Sequence, residues 1–172
     1  HLGNPVECLQ EVLSQLTEHE RLLVKDSLFL GIERRDLVIG GSGCPKAEAA
    51  FLVRNLIGVD PANGAVAVSE SIRVGQKVQF QLREASASSQ EARKLFRAQV
   101  EGVNSKPLLG LLMVCLGRGN SLYGDKNGDV DIAREVIPDL PISGIFCNGE
   151  IGTVRRTTHL HACAASWALL RH

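Results

Sequence analysis

Residues 108–119 read LLGLLMVCLGRG, and this stretch decides the fold of the chain. The apolar run from Leu108 to Leu116 is typical of a strand covered on both faces, and a Gly-Arg-Gly turn follows it directly. A second stretch, PISGIFCNGEIG at 141–152, repeats the arrangement: a buried strand from Pro141 to Cys147 leads into another glycine-containing turn. If the two strands run parallel, both turns open at the same edge of one sheet.

The residues around these two runs predict an alternation of strands and helices. Serines at 86, 88 and 89 can cap a helix whose apolar positions continue to Val103. Asp129 is expected to cap a short helix that reaches Ile137 and ends before Pro138. An alanine-rich run from Leu160 to Leu170 predicts a last strand.

The first half of the chain predicts a different pattern, a leading helix followed by hairpin-linked strands. Asn4-Pro5 has the chemistry of a helix start, and apolar residues then recur at helical spacing to about Val24. A strand over residues 28–32 and a glycine-rich surface loop at 40–50 come next. Three further strands are expected at Phe51–Gly58, Ala65–Ser69 and Lys77–Glu84.

These patterns predict an α/β (α+β) fold with a mixed sheet. Its first half is antiparallel and rich in hairpins, and its second half alternates strands and helices. We expect one domain over residues 1–172, with a leading helix at 1–26 and a core at 27–172.

Composition excludes several classes of function. Lys plus Arg and Asp plus Glu each number 19, and this zero net charge argues against nucleic-acid binding by phosphate neutralisation and against a polybasic membrane arm. Only 4% of residues are aromatic, too few for a base-stacking platform. Five cysteines without a CxxC pair fit neither a disulfide framework nor a zinc ribbon, so a reduced, cytoplasmic protein is expected.

The two glycine-containing turns predict a ligand-binding rim. Glycines let backbone N–H groups approach a ligand closely, and Arg118 adds a forked donor for a carboxylate or phosphate. The simpler alternative is a pair of tight turns in which Arg118 pairs with Glu150. The rim residues are Cys115, Gly117, Arg118, Gly119, Cys147, Asn148, Gly149 and Glu150.

Arg54 and Asn55 extend this candidate ligand set. They interrupt an otherwise apolar strand, where alternation places Arg54 on the same face as Leu52 and Leu56. A charge in that position must reach solvent, pair or line a cavity, and we interpret it as lining a cavity.

Two other kinds of site remain open from the residues. Cys115 or Cys147 could be a thiolate nucleophile with His159 or His161 as its base, which would make the protein a thiol-dependent enzyme. Alternatively, His161 could be the axial ligand of a haem. Neither reading has a further ligand cluster or catalytic signature nearby, so no catalytic residue, metal site or cofactor is expected.

Taken in order, these segments resemble the C-terminal half of the FIST family (F-box and intracellular signal transduction), with similarity from about Leu28 to Arg171. The segments that carry it are 51–60 with 64–68, 74–84, 115–119 with 122–124, 144–152 and 160–161. The resemblance implies an α/β sensory module that binds small ligands such as amino acids and, in some members, haem. It also implies an N-terminal FIST half or signalling domain as partner, and a first residue that is His rather than Met fits a piece of a longer protein.

The function expected from the sequence is therefore a non-enzymatic sensory domain of an intracellular signal-transduction protein, without nucleic-acid or membrane partners. Arg118 would hold the carboxylate of an amino-acid-like ligand and Glu150 its ammonium group, because both charges are then matched by charge-assisted hydrogen bonds.

Overall fold

The computed structural model describes residues 3–33, 51–101, 105–154 and 157–172. The expected loop at 40–50 lies outside the described residues. The elements are, in chain order, α1 (Pro5–Gln15), α2 (Glu18–Ser27), β1 (Leu28–Glu33), β2 (Phe51–Asp60), β3 (Ala65–Val68), β4 (Val78–Leu82), α3 (Ala85–Val100), β5 (Leu109–Cys115), α4 (Asn120–Tyr123), α5 (Gly128–Val136), β6 (Ile142–Cys147), β7 (Glu150–Val154), β8 (Thr157–His161) and β9 (Ala165–Leu170). This mixture of helices with antiparallel and parallel strands confirms the predicted fold class.

The chain divides into two compact units. The first comprises His1–Arg83 with Val154–Thr157, and the second comprises Glu84–Thr153 with Thr158–His172. Within the described residues, no helix is both long enough and apolar enough to cross a lipid bilayer.

The first unit is built on an antiparallel sheet in the order β3-β2-β1-β4. β1 pairs with β2 on one side and β4 on the other, so it is the most buried strand of the four. Ile32 and Leu52 face each other across the β1–β2 pair and are both fully buried. The antiparallel strands predicted for this half are confirmed, with a hairpin between β2 and β3, whereas β4 pairs with β1 instead of its chain neighbour β3.

The expected single leading helix is wrong, because two helices occupy that segment. α1 begins at an Asn4 cap, whose side chain accepts a hydrogen bond from the Glu7 amide at 2.9 Å, and it ends at Leu16 in extended backbone. Thr17 and Glu20 then form a reciprocal capping box that starts α2. Such a box supplies the free amides of a new helix with partners, so the chain turns there instead of continuing.

The second unit contains the strands that end at the candidate rim. Its sheet has the order β6-β5-β9, with β6 parallel and β9 antiparallel to β5. α3 and α5 pack together, and their core includes Phe96, Ile132 and Ala133. Trp167 on β9 meets Phe96 edge to face, with ring centroids 5.0 Å apart, and so joins the sheet to the helices.

Helices cover one face of this sheet, so the expectation that its strands are buried on both faces is wrong. Leu112 and Val114 point towards the covered side and are buried, whereas Leu111 on the opposite face is 37% exposed. β6 was expected to be a buried strand, yet its side chains at positions 143–146 are all exposed. β6 is an edge strand, and an edge strand has a neighbour on one side only.

Two other element boundaries differ from prediction. The last strand divides into β8 and β9, and Cys163 between them has the left-handed φ of 60° that turns the chain. α5 begins one residue before Asp129, with Asn127 as its N-cap. Asp129 is therefore inside the first helical turn, and its carboxylate is free for a different contact.

We expect Leu52→Ala to lower the free energy of unfolding by about 2–5 kcal/mol, because it leaves a cavity in the fully buried β1–β2 pair. Ile57→Ala, on the same strand but at a position 67% exposed, is the matched control and should change it by about 0.5 kcal/mol or less. Urea denaturation of both variants measures the difference. Equal losses for the two would contradict this description of the first unit's core.

Candidate functional site

The carboxyl ends of β5 and β6 lie side by side, as the sequence predicted for parallel strands. Cys115 and Cys147 are register partners at the last positions of the ladder. The Leu116 amide then donates to the Cys147 carbonyl at 2.9 Å, which holds the two turns at one edge of the sheet. Both glycine-containing turns therefore begin at the same place.

The turn after β5 directs Arg118 inwards. The Arg118 amide donates to the Cys115 carbonyl at 2.9 Å, which closes a tight turn. Gly119 follows with a φ of 49°, and a Cβ there would lie 3.1 Å from the ring of Phe146. Glycine is required at this position both by the backbone conformation and by the close approach of that ring.

Arg118 is buried and binds Asp129 in a forked ion pair. Its Nε donates to Oδ2 of Asp129 at 3.0 Å, and its Nη2 donates to Oδ1 at 2.7 Å. Nη2 also donates to the Tyr123 hydroxyl, and Nη1 reaches the Cys163 carbonyl at 3.4 Å. The simpler alternative, in which Arg118 pairs with Glu150, is wrong because Asp129 is its ion-pair partner.

Burial and charge act in opposite directions on this group of side chains. Burial disfavours the charged form of Arg118, but the hydrogen bonds and negative charge of Asp129 outweigh it and raise the pKa of the guanidinium. Burial also raises the pKa of Tyr123 to about 12, so its hydroxyl keeps its proton at neutral pH. That hydroxyl lies 3.2 Å from Oδ1 of Asp129 and can donate to it.

Glu150 is the anomalous group of the rim. Its side chain begins β7, is only 2% exposed, and has no hydrogen-bond partner for either carboxylate oxygen. Burial raises its pKa. The Cys115 thiol and the Glu150 and Ala164 amides act on the carboxylate as weak donors that, with the charge of His161, offset only part of that rise, but none of them forms a hydrogen bond of normal geometry with it. A buried carboxylate without a partner is costly, so this position calls for an explanation.

The remaining rim residues differ in exposure and packing. A Cβ at Gly149 would lie 3.2 Å from Cδ1 of Leu160, so glycine lets the turn after β6 approach β8. Asn148, beside it, is exposed. Gly117, in the first turn, is half-buried.

His161 is placed to hold β7 against β8. Its Nε2 lies 3.0 Å from the Gly152 carbonyl, so this nitrogen must carry the hydrogen of that bond. A nitrogen that donates a hydrogen bond cannot also bind iron, and the residues present do not fit a haem held through Nε2. Among the described residues, no group of three or more His, Cys, Asp and Glu side chains could hold a metal ion.

The two candidate nucleophiles differ in their surroundings. Cys115 is buried and neighbours the Glu150 carboxylate, whereas the thiol of half-buried Cys147 lies 3.7 Å from the Ile145 carbonyl. Both thiols therefore lie beside acceptor oxygens.

Arg54 and Asn55 lie in the first unit, on β2, while the rest of the predicted set lies in the second. Arg54 is paired with Glu70, with Nη2 and Oε2 3.0 Å apart, and its Nη1 donates to the Val53 carbonyl at 3.2 Å. The Asn55 carbonyl accepts from the Ser69 amide at 3.2 Å.

Three groups at the rim were missed in the sequence: Asp129, the Tyr123 hydroxyl and the Cys163 carbonyl. The sequence offered a reason to place Tyr123 at the rim, because it is the one tyrosine of the chain and closely follows the Gly-Arg-Gly turn. Asp129 was assigned to a helix cap, which hid its role as a counterion. The contact of the Cys163 carbonyl could not be predicted from the sequence, since every residue has the same backbone acceptor.

Asp129→Asn should lower the free energy of unfolding by about 3–5 kcal/mol, because it leaves the buried Arg118 charge without its counterion. Glu135→Gln is the matched control. Glu135 lies on α5, as Asp129 does, and the variant neutralises its solvent-exposed ion pair with Arg93. We expect the control to leave the free energy of unfolding nearly unchanged. Chemical denaturation of both variants tests the contrast, which equal effects would refute.

Glu150→Gln should stabilise the fold near neutral pH. The pKa of Glu150 is raised in the folded state, so folding binds a proton between the ordinary carboxyl value of 4.5 and the folded value. The free energy of unfolding therefore falls as pH rises through that window, and the loss persists above it. Wild type and variant should unfold alike below pH 4.5, and the variant should be the more stable near neutrality. A variant less stable than wild type at neutral pH would contradict the unpartnered carboxylate.

Comparison with known proteins identifies the family. The model of the FIST C domain matches residues 5–153. An uncharacterized protein of Mycobacterium tuberculosis is 34% identical over 96% of this chain, and one of Mycobacterium bovis is 30% identical over the same share. The chain spans 42% of the length of each of these two proteins.

More distant similarity extends to proteins that carry an F-box. Human F-box only protein 22 is 27% identical over 72% of this chain, and the chain covers 31% of it. An F-box/LRR-repeat protein of Arabidopsis thaliana is 31% identical over 77% of this chain, which covers 26% of that protein. No solved structure matches the chain significantly. With the family model matching most of its length, the chain belongs to the FIST C domain family, a family of sensory domains associated with signal transduction.

Proposed function

We propose that this FIST C domain is a non-enzymatic sensor that binds an amino-acid-like small molecule at the rim formed by the turns after β5 and β6. The observation that carries the proposal is Glu150, a carboxylate 2% exposed whose two oxygens have no hydrogen-bond partner. Proteins rarely retain such a group unless it serves a function. A ligand that supplies its missing partner gives the group that function.

The charges of the rim favour a ligand with a positive group. Asp129 and Glu150 are two carboxylates, and Arg118 forms its ion pair with the first of them through Nε and Nη2. Glu150 is therefore the uncompensated negative charge of the rim, with no ion-pair partner among the described residues. An ammonium group donates up to three hydrogen bonds and would satisfy both oxygens with charge-assisted bonds.

Arg118 offers a second contact for the same ligand. Its Nη1 makes only a 3.4 Å contact with the Cys163 carbonyl, the longest of its hydrogen bonds. Glu150 also contributes to the raised pKa of Arg118, which indicates that the two charges are near each other although they form no ion pair. A zwitterion with its ammonium on Glu150 and its carboxylate on Nη1 matches both.

A binding role fits the thiols better than a catalytic one. The neighbours of Cys115 and Cys147 are a carboxylate and a carbonyl. A nucleophilic cysteine instead needs a cationic or basic neighbour that lowers its pKa. Cys115 then serves as part of the apolar wall beside Glu150.

Occupancy of this rim would be communicated by a shift in conformational equilibrium. A ligand that contacts Glu150 and Arg118 together favours the state in which the two turns are held close, by as much as its affinities for the two states differ. F-box names among the relatives suggest that the receiving partner is a signalling domain, in this protein an N-terminal FIST half or another linked domain.

The test is thermal unfolding of the 172-residue chain with each standard amino acid in turn, after native mass spectrometry has checked the purified protein for a retained molecule. At about one hundred times its dissociation constant a ligand should stabilise the fold by about 2.7 kcal/mol. Glu150→Gln should abolish this stabilisation. Glu135→Gln, which removes an exposed carboxylate on α5, should preserve it.

Modified ligands distinguish the two ends of the molecule. The N-acetylated form of an active amino acid should fail because it lacks the ammonium group, and the decarboxylated amine should bind more weakly than the parent. Equal stabilisation of the Glu150→Gln variant would show that the ligand binds elsewhere. Stabilisation by dicarboxylates without an amine would overturn the proposed charge match.

A further inference from the structure

Among the described strands, β6 lies at an edge of its sheet, with its outer side unpaired. The Gly110 amide donates to the Pro141 carbonyl and the Leu116 amide donates to the Cys147 carbonyl, each at 2.9 Å. Backbone groups alternate along a parallel ladder, so Ser143 and Ile145 also face β5, while Ile142, Gly144 and Phe146 present their N–H and C=O groups outwards. In the part of the chain that the structure describes, no strand pairs with that side.

The β6 edge also lacks the features that normally prevent pairing. Its sequence, ISGIFC, contains no charge and no proline, and its register with β5 is free of bulges from Ile142 to Cys147. Natural proteins protect open edges with these devices because an unprotected edge invites another strand. An unprotected edge is therefore a candidate site for pairing with another strand.

An apolar face adjoins this edge. On the side of the sheet away from α3 and α5, Ile145 is 63% exposed, Leu111 is 37% exposed and Leu170 is 44% exposed. Register places Ile145 on β6, Leu111 on β5 and Leu170 on β9 of the same face. One partner could thus pair with the edge through its backbone and cover the face with its side chains.

We propose that β6 is the docking edge for a companion segment of the same protein, which adds a strand beside β6 and covers Leu111, Ile145 and Leu170. By companion segment we mean the part of the longer family members that lies outside the matched region. More than half of each mycobacterial relative lies there, since this chain spans 42% of its length. A partner within the same polypeptide explains how such an edge avoids aggregation, because it is present whenever the chain is made.

The experiment compares amide hydrogen exchange in the 172-residue chain and in the longer polypeptide that includes the companion segment. The peptide covering β6 should exchange about one hundredfold more slowly in the longer polypeptide, because its outward amides become hydrogen-bonded. Equal exchange in the two proteins, or a gene that encodes no further segment, would overturn the proposal. Slow exchange in the 172-residue chain together with a dimeric mass by light scattering would assign the edge to a second copy and also overturn it.

A variant separates docking from folding. Ile145→Lys places a charge on the exposed face, so the 172-residue chain should keep its melting temperature while the longer polypeptide loses stability and its β6 protection. Leu95→Lys, at a position 59% exposed on α3, is the control and should change neither protein. If β6 protection survives Ile145→Lys, the edge is not the docking site. This test does not depend on ligand binding and can fail or succeed independently of the proposed sensor function.

Discussion

The forked ion pair between Arg118 and Asp129 fixes the edge of the sheet at which the proposed site lies. It joins the turn after β5 to the first turn of α5, and the same guanidinium reaches Tyr123 at the end of α4 and the Cys163 carbonyl between β8 and β9. A buried ion pair contributes little net stability compared with apolar residues of the same size, but the loss of one partner is costly. Its main effect is therefore to specify one arrangement of four separate segments.

Because Arg118 pairs with Asp129, Glu150 is left without a counterion. If Arg118 paired with Glu150, the Glu150 carboxylate would already have a counterion, and a ligand cation would have no unpaired charge to bind at that position. Instead Asp129 takes the guanidinium, and a second carboxylate remains buried with its pKa raised by burial. The fold thus carries a destabilising group at its sheet edge, which is typical of sites where stability is given up for binding.

Part of this arrangement could be predicted from sequence, and the reasons are physical. The apolar runs at 108–116 and 141–147 are local signals, so the neighbouring turns could be placed at one edge. The break between α1 and α2 was not predicted, although Thr17 and Glu20 have the spacing of a capping box and could have indicated it. The Arg118–Asp129 pair was not, since Asp129 fits a helix cap equally well and only the packing of α5 brings it to Arg118. The division of β8 from β9 depends on a positive φ at Cys163, where the Ala-Cys-Ala sequence has no turn residue to signal it.

The proposed ligand rim and the proposed docking edge meet on β6, which gives them a physical connection. Glu150 lies three residues beyond the end of β6, and Ile145 lies two residues before that end. A ligand that draws the Glu150 turn towards Arg118 acts on the strand whose outer amides would pair with the companion segment. Any difference in ligand affinity between the docked and undocked states must then appear as an equal difference in docking with and without ligand. In this proposal the two partners affect each other through β6, because both act on the same short strand.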